Sequence, residues 1–577
     1  MIRRVIYITV LLILGLPFPG SSNVVLHEEE SKVEYIQPLG IPVSLSASYG
    51  ELRRNHFHSG VDLKVGGVVG EPIRAVADGY VSRIGVSPYG YGNALYIDHP
   101  DGKTSLYGHM LAYSDEITAY VVERQYERKT FRIDLYPEKG ALPVKKGQII
   151  GYVGNTGSSG GPHLHFEIRR TSDQKPLNTI ARGYIKVMDD QSPFIRDIVF
   201  YGYDRDRLRG WKFASRKNVA EEIIRVPDCF YVAIDAYDRQ NGTSNKLGIE
   251  TYRVLLDGEQ IFQMKTGETP FEYTRYINAL MEYAEMNAKG RAYIKTKKND
   301  GNLIASKCSY VNDGLVELQD DQVHELKIEL CDEHGNRTER VFKVRKDGEM
   351  KSAESLPEGT FMSWCMPQIY TEEYGEEICD GGFRVLIDEG SLYNSVYFYA
   401  EACPVPAGAF SPLVKLFDPR VPLQKSMKVS VDVDSVPEYL MDKVVLARVL
   451  KTGAYASSGG KMVSPKRMEA KVAQFGEYCV VADTIAPVVS ADFRSGLKLK
   501  GNENLVFRIS DELSGILDFN LYIDGEWSLA DYDPKTRRVI SRVKYSRMKK
   551  TGKSHTMKLV VRDGVKNVSE VERTVIF

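Results

Sequence analysis

Short apolar runs divided by turn residues recur along the chain and predict strands. In the N-terminal third, Tyr35-Ile-Gln-Pro-Leu and Val43-Ser-Leu-Ser read as short strands. After the turn Val69-Gly-Glu-Pro72 come Ile73-Arg-Ala-Val-Ala77, then Asp78-Gly79, then Tyr80-Val-Ser-Arg-Ile84. Apolar runs cut at Gly-Glu-Pro and Asp-Gly signal antiparallel strands rather than helix. Ala94-Leu-Tyr-Ile97 and Thr104-Ser-Leu-Tyr107 flank Asp101-Gly102 as a hairpin whose second arm runs into Gly108-His109. A Gly-rich turn, Gly154 to Gly161, then delivers Pro162-His163-Leu-His165-Phe-Glu-Ile168. It lacks the Lys-Ser/Thr ending and following helix of a phosphate loop, so it reads as a close backbone approach beside a cleft.

Past about residue 188 the pattern repeats. Asp189-Asp-Gln-Ser-Pro193 is spaced like Asp483-Thr-Ile-Ala-Pro487, and the stretch from Gly248 through Asp257-Gly-Glu aligns without gaps to Gly515 through Asp524-Gly-Glu. Leu330-Cys-Asp332-Glu-His-Gly-Asn336 parallels Val561-Arg-Asp563-Gly-Val-Lys-Asn567. Regular short strands with Asp-Gly turns suggest immunoglobulin-like sandwiches. Lys428-Val-Ser-Val-Asp-Val433 and Lys443 to Val449 suggest another sandwich between them. The expected organisation is a segment 1–22, an N-terminal domain 23–188, and three β-sandwiches at 189–348, 349–485 and 486–577. Asp257, Asp332, Asp524 and Asp563 read as turn aspartates held by local hydrogen bonds rather than as calcium ligands.

At 577 residues the chain is too long for one core, in keeping with several domains. A net charge of −1 offers no electrostatic reason for a nucleic-acid partner or an anionic membrane surface. The 35 tyrosines suit a β-rich exported protein. Residues 1–22 carry Arg3 and Arg4, the apolar run Val5 to Leu16 and Pro19-Gly-Ser-Ser22, the pattern of a secretory signal peptide. The run is shorter than the roughly 20 residues that span a bilayer. This predicts export to the periplasm or cell envelope, with no stable membrane span after cleavage. Seven cysteines, an odd number, leave at least one unpaired, with Cys365 and Cys379 a candidate bridge. None lies near the N-terminal histidines, and the absence of a CxxC pair disfavours a thiolate zinc site.

Four of the ten histidines fall in two short motifs, His56-Phe-His-Ser-Gly-Val-Asp62 and Gly161-Pro-His-Leu-His165. Imidazole and carboxylate are the usual ligands of a catalytic zinc. His163 and His165, two apart on a strand, share a face, so either or both can reach one metal together with His58 and Asp62. Three such ligands leave a fourth position for water. No HExxH is present, so no glutamate base on a zinc-binding helix is available.

HSGVD at 58–62, YGYGN at 89–93, YGH at 107–109, KKGQIIGYVGNTG at 145–157 and GGPHLHFEI at 160–168 together resemble the lysostaphin-type, or LytM-like, zinc endopeptidases. The resemblance spans about residues 35–175. It implies a mainly β protein whose N-terminal domain is an antiparallel, groove-type fold, with Zn2+ as cofactor and the peptide cross-links of peptidoglycan as substrate. Carried over residue by residue, it makes His58, Asp62 and His165 the zinc ligands and His109 and His163 the catalytic histidines. The connection from His109 to Val144 is longer than in compact members, and Tyr120-Val-Val122 with Phe131 to Leu135 predicts an added hairpin at the groove rim. Glu167 is expected to hydrogen-bond a ligand histidine. Asn93 and Tyr107 are expected along the groove, His56 beside substrate or ligands, and His99 in a structural role. Arg53 and Arg54 are expected as solvated charges or as partners of stem-peptide carboxylates. The expected function is an exported zinc endopeptidase, with the sandwiches holding an envelope protein partner. The alternative is a non-catalytic LytM-like regulator or an envelope scaffold.

Overall fold

Alternation along two strands decides which residues reach the core and which reach the groove. In His163–Arg170, Leu164, Phe166 and Ile168 enter the N-terminal core, which leaves His163, His165, Glu167 and Arg169 on the other face. In Val61–Lys64, Val61 and Leu63 enter the same core, with Asp62 opposite. The computed structural model describes residues 33–216, 223–352, 358–375 and 380–577. The apolar N-terminal run and Cys379 lie outside these described residues. Among the described residues no helix is long and apolar enough to cross a membrane. Cys229, Cys308, Cys331, Cys365, Cys403 and Cys479 are free thiols.

The N-terminal domain is built on a nine-stranded sheet. Its path runs Leu45–Ala47, Val61–Lys64, His163–Arg170, Lys103–Gly108, Asn93–Asp98, Gly79–Val86 and Ile133–Leu135, with antiparallel pairing throughout. A three-stranded sheet of Pro72–Arg74, Ile149–Val153 and Met110–Tyr113 accompanies it. The hairpin expected between 112 and 143 is instead a helix, Asp115–Arg128, followed by the edge strand Ile133–Leu135. Ile117, Val121 and Gln125 are buried at a spacing of four, so the Tyr-Val-Val run is part of a helical stripe rather than a strand. Asp115 and Glu116 in the first turn and Arg128 in the last match the helix dipole, and Lys129 closes the helix in a left-handed conformation.

Three further cores follow, so the protein is mainly β throughout. Residues 194–346 form a five-stranded and a six-stranded sheet around one core, with a helical insert that includes Tyr283–Lys289. Residues 360–482 form two five-stranded sheets and a short pair. Residues 488–576 form a four- and a five-stranded sheet. The first and last of these modules share details. Each has one parallel pairing, Ile224–Val226 on Arg337–Lys346 and Leu497–Lys498 on Val568–Ile576. In each an aspartate bonds a histidine across the sheet end, Asp257 Oδ2 to His324 Nδ1 at 2.7 Å and Asp524 Oδ2 to His555 Nδ1 at 2.6 Å. Asp257 and Asp524 are thus locally bonded turn residues.

The N-terminal domain and the next module exchange side chains. Phe57, 5% exposed, packs into the core of the 194–346 module, and Leu247 of that module, 6% exposed, packs into the N-terminal core. Phe57 N–H donates to Thr274 Oγ1 at 2.9 Å, and Arg54 Nη2 donates to Asn287 Oδ1 at 2.6 Å. The Arg54 bond is exposed and contributes at most about 1 kcal/mol. Phe57 is the dominant link, because emptying such a site costs both transfer energy and a cavity. The C-terminal module also folds back on the N-terminal domain. Tyr126 of the helix donates its hydroxyl to Tyr545 O at 2.7 Å, with the Arg547 guanidinium 3.8 Å from its ring centre. Phe57→Ala is expected to lower stability to chemical denaturation by about 3–5 kcal/mol. A loss below about 1 kcal/mol would show that the exchange is not structural.

Candidate active site

Strand register assembles the site. His165 stands opposite Asp62 on one neighbouring strand and opposite Gly108 on the other. One residue beyond Gly108, His109 adopts φ 60 between two strands, a left-handed conformation uncommon for a non-glycine residue, and this turns its ring toward His163. His58 reaches the same place from the loop before Asp62. That loop needs Gly60, since a Cβ there would stand 2.3 Å from Phe166 O.

Three donor atoms converge. His58 Nε2 lies 3.0 Å from Asp62 Oδ1 and 3.1 Å from His165 Nδ1, and His165 Nδ1 lies 2.9 Å from Asp62 Oδ1. All three residues are buried. The outer nitrogen of each imidazole is already committed: His58 Nδ1 donates to Ser48 O at 2.7 Å, and His165 Nε2 to Glu167 Oε1 at 2.7 Å. The inner nitrogens of both imidazoles and a carboxylate oxygen therefore face one another, an arrangement that a cation can hold in place of a proton. Tetrahedral zinc with bonds of about 2.0–2.2 Å places its donors about 3.3–3.5 Å apart, so the trio needs to open by only a few tenths of an ångström. The donor set fits zinc. Burial opposes charge on Asp62, yet the His58, His163 and His165 rings around it hold its carboxyl well below the usual range. Burial likewise works against charge on His165, but Asp62 and Glu167 raise it to about 9. Burial lowers His58.

Glu167, fully buried, is the hub of the supporting layer. Its Oε1 accepts from His165, from Ser59 Oγ at 2.7 Å and from Tyr91 OH at 2.7 Å, and its Oε2 accepts from Arg169 Nε at 2.7 Å. The Arg169 guanidinium stands 4.5 Å from the ring centre of Phe271, which belongs to the next module. That module reaches His58 as well: Gly248 N–H donates to Ser48 Oγ at 2.8 Å, and Ser48 O holds His58. The remaining Asp62 oxygen, Oδ2, accepts from Arg53 Nη2 at 3.0 Å.

His109 and His163 stand beside the trio with ring centres 4.8 Å apart. His109 Nδ1 donates to Thr156 O at 2.8 Å and His163 Nδ1 to Gly161 O at 2.8 Å. A carbonyl only accepts, so each Nδ1 carries hydrogen, and Nε2 is the ring nitrogen that the backbone leaves unengaged. His163 Nε2 is 3.5 Å from Asp62 Oδ1. Burial, reinforced by His165 and His163, pushes His109 down to about 3, so it is neutral at ordinary pH.

The five residues singled out from sequence, His58, Asp62, His109, His163 and His165, are brought together, and Glu167 bonds a ligand histidine. Several neighbours lie elsewhere. Tyr107, expected along the groove, is a core residue whose hydroxyl accepts from Val76 N–H at 3.0 Å. Asn93 ties loops together by donating to Met110 O at 3.1 Å. His56 is exposed, its Nδ1 against Arg54 O at 3.0 Å. His99 is buried between Asp78 O and Ser105 Oγ, both at 2.8 Å, a structural position. Arg53, read as solvated or substrate-facing, pairs with Asp62, and Arg54 bonds the next module. The sequence reading missed Tyr91 and Ser59, although both sit inside its motifs. Replacing the hub by Glu167→Gln is expected to weaken zinc affinity about 10–100-fold. Competition with a chromogenic chelator measures it, and unchanged affinity would remove Glu167 from the support of His165.

A family profile described as Peptidase family M23 matches residues 56–125 and 139–179, and one described as a Zu5-like domain matches residues 370–483. Among curated relatives, the DD-carboxypeptidase/endopeptidase Mpg of Neisseria meningitidis serogroup B (strain ATCC BAA-335 / MC58) is 36% identical over 125 residues, 22% of each chain. The glycyl-glycine endopeptidase ALE-1 of Staphylococcus capitis is 34% identical over 139 residues, 24% of this chain and 29% of that one. The murein hydrolase activator NlpD of Salmonella dublin is 36% identical over 112 residues, 19% of this chain and 23% of that one. The matched stretch thus spans less than a third of these relatives' own lengths. Residues 56–179, which hold the whole histidine and aspartate constellation, are a peptidase family M23 domain carried at the front of a longer β-rich chain.

Proposed function

We propose that this protein is an exported zinc endopeptidase that hydrolyses peptide cross-links of bacterial peptidoglycan. The observation that carries the reading is the convergence of His58 Nε2, Asp62 Oδ1 and His165 Nδ1 beside two further histidines held by the backbone through Nδ1. The endopeptidase names of Mpg and ALE-1 support the reaction class, and the murein hydrolase in the name of NlpD supports the substrate. Zinc held by the trio would supply a Lewis acid that brings the acidity of water close to neutral pH and polarises a carbonyl.

The chain's own residues do the rest. Asp62 and His165, each bonded a second time by Arg53 and Glu167, keep the three donors aimed at one point. His109, neutral and with Nε2 unprotonated, is placed to take the proton of the attacking water at that atom. The proton that His109 takes is the one available to pass on to the leaving amine, and His163, with Nδ1 fixed by Gly161 O, is placed to hold the developing oxyanion when its Nε2 is protonated. In this reading a regulator that has lost catalysis is disfavoured, because no ligand or catalytic position is missing. The sandwich modules are read as the parts that meet an envelope protein partner.

Zinc-loaded protein is expected to release new amino groups from cross-linked peptidoglycan. His109→Ala is expected to lower kcat by about 10²–10⁴ while the protein keeps its zinc. Equal activity of the variant and the parent, or no release from any peptidoglycan by the zinc-saturated parent, would sink the proposal.

A further inference from the structure

The first and last sandwiches carry the same three-carboxylate cluster, and the two copies differ in how the carboxylates are satisfied. In one module the ligand atoms of Asp189, Asp332 and His334 gather within 4.8 Å of one another and Asp238 lies against Asp189 beside them, while in the other module Asp483, Asp511 and Asp563 gather in the same way. In both, an asparagine stitches the ends together. Asn336 Nδ2 donates to Asp332 Oδ2 at 2.8 Å and Asp189 O at 3.3 Å, as Asn567 Nδ2 does to Asp563 Oδ2 at 2.8 Å and Asp483 O at 3.0 Å.

In the last module the turn after Asp511 supplies donors. Asp511 Oδ2 accepts from Leu513 N at 3.2 Å and Gly515 N at 2.7 Å, and Asp483 Oδ2 accepts from Ser514 N at 3.0 Å. In the first module the segment from Asp238 to Gly248 is diverted to the M23 domain. Its Gln240 and Asn245 bond the backbone of Leu45, at 3.0 Å and 2.6 Å, and Leu247 enters the N-terminal core. The N–H groups of Asp238 and Leu247 are spent on each other's carbonyls, at 3.0 Å and 2.9 Å, and Arg239 N–H is the backbone donor left to the Asp238 carboxylate. As a result Asp238, only 4% exposed, has an Oδ1 with no hydrogen-bond partner while its carboxylate lies against that of Asp189. Burial raises Asp238, and the charges of Asp189 and Asp332 raise it further. Among the described residues no lysine or arginine is within ion-pair distance of the three, and His334 Nδ1 lies 3.8 Å from Asp189 Oδ2. The carboxylates line a cavity of about 20 Å³, room for a single small occupant.

We propose that Asp189, Asp238 and Asp332 bind a hard divalent cation of the Ca2+ class at the junction between the M23 domain and the first sandwich. Carboxylate oxygens are the preferred donors of Ca2+, which tolerates the irregular geometry that turn-bound carboxylates impose, whereas Mg2+ demands a near-ideal octahedron. The cation supplies the countercharge that the orphaned Asp238 oxygen lacks. It also clamps the loop that grips Leu45, whose strand pairs with the Asp62 strand. The competing occupant is a proton shared by Asp189 and Asp238, with water in the cavity.

The test uses the full chain, saturated with zinc beforehand so that the histidine site is filled. Equilibrium dialysis with radioactive Ca2+ and thermal unfolding with and without millimolar Ca2+ are then compared between parent and variants. The expected result is one bound Ca2+ per chain and a rise in Tm. Asp238→Asn and Asp189→Asn are each expected to weaken half-saturation by about tenfold or more with zinc content unchanged. Asp511→Asn is expected to leave the binding as it is. No uptake by the parent at millimolar Ca2+ overturns the proposal and assigns the cluster to a shared proton. Parent-like uptake by both Asp238→Asn and Asp189→Asn also overturns it.

Discussion

The pairing of the Asp62 strand with the His165 strand is the constraint on which the rest depends. Because side chains alternate with a period of two, a slip of one residue would turn His165 into the core and bring Leu164 or Phe166 to the groove. Leu164, Phe166 and Ile168 on one face and Val61 and Leu63 on the neighbouring strand make that slip costly, since each buried side chain of this size is worth about 1.5–3 kcal/mol. Apolar packing, rather than any interaction within the site, sets the position of the ligands. The polar layer of Ser48, Glu167 and Arg53 then fixes which atom of each ligand faces inward.

The module that follows is part of this support. Phe57 lies immediately before the ligand His58 and is buried in the module's core, Gly248 bonds Ser48 behind His58, and Phe271 covers Arg169 behind Glu167. Three separate contacts from one module end within a residue or two of ligand-holding atoms. The modules are therefore more than passengers on a free-standing M23 domain, and the cluster of His58, Asp62 and His165 is expected to sense changes in the junction. The proposed cation cluster occupies the same junction, where the Asp238 loop has exchanged its own turn bonds for contacts with the N-terminal sheet.

Much of the site was legible because its residues sit in short, closely spaced motifs. His58 and Asp62, and His163 and His165, fall within single turns or strands where spacing alone restricts geometry, and the likeness to a known family added His109. The repeat between the first and last sandwiches was visible in the Asp-Gly and Asp-Asn spacings. What escaped depends on long-range packing. The helix at 115–128 was taken for a hairpin because its apolar residues cluster as Tyr-Val-Val, and only burial of Ile117, Val121 and Gln125 reveals the period of four. Tyr107, expected along the groove, is turned into the core by strand alternation. Arg53 reads in the sequence as a solvated charge or a partner of substrate carboxylates, and nothing in the sequence singles out Phe57. Their partners, Asp62 across a loop and the core of another module, are set by tertiary structure.

The most direct test of the account is anomalous diffraction at the zinc edge from crystals of the zinc-loaded full chain. The account predicts one strong peak bonded to His58 Nε2, Asp62 Oδ1 and His165 Nδ1 at about 2.0–2.2 Å, with His109 and His163 beside it and unbonded. A peak bonded to His109 or His163, or none at the trio in zinc-saturated crystals, would contradict it.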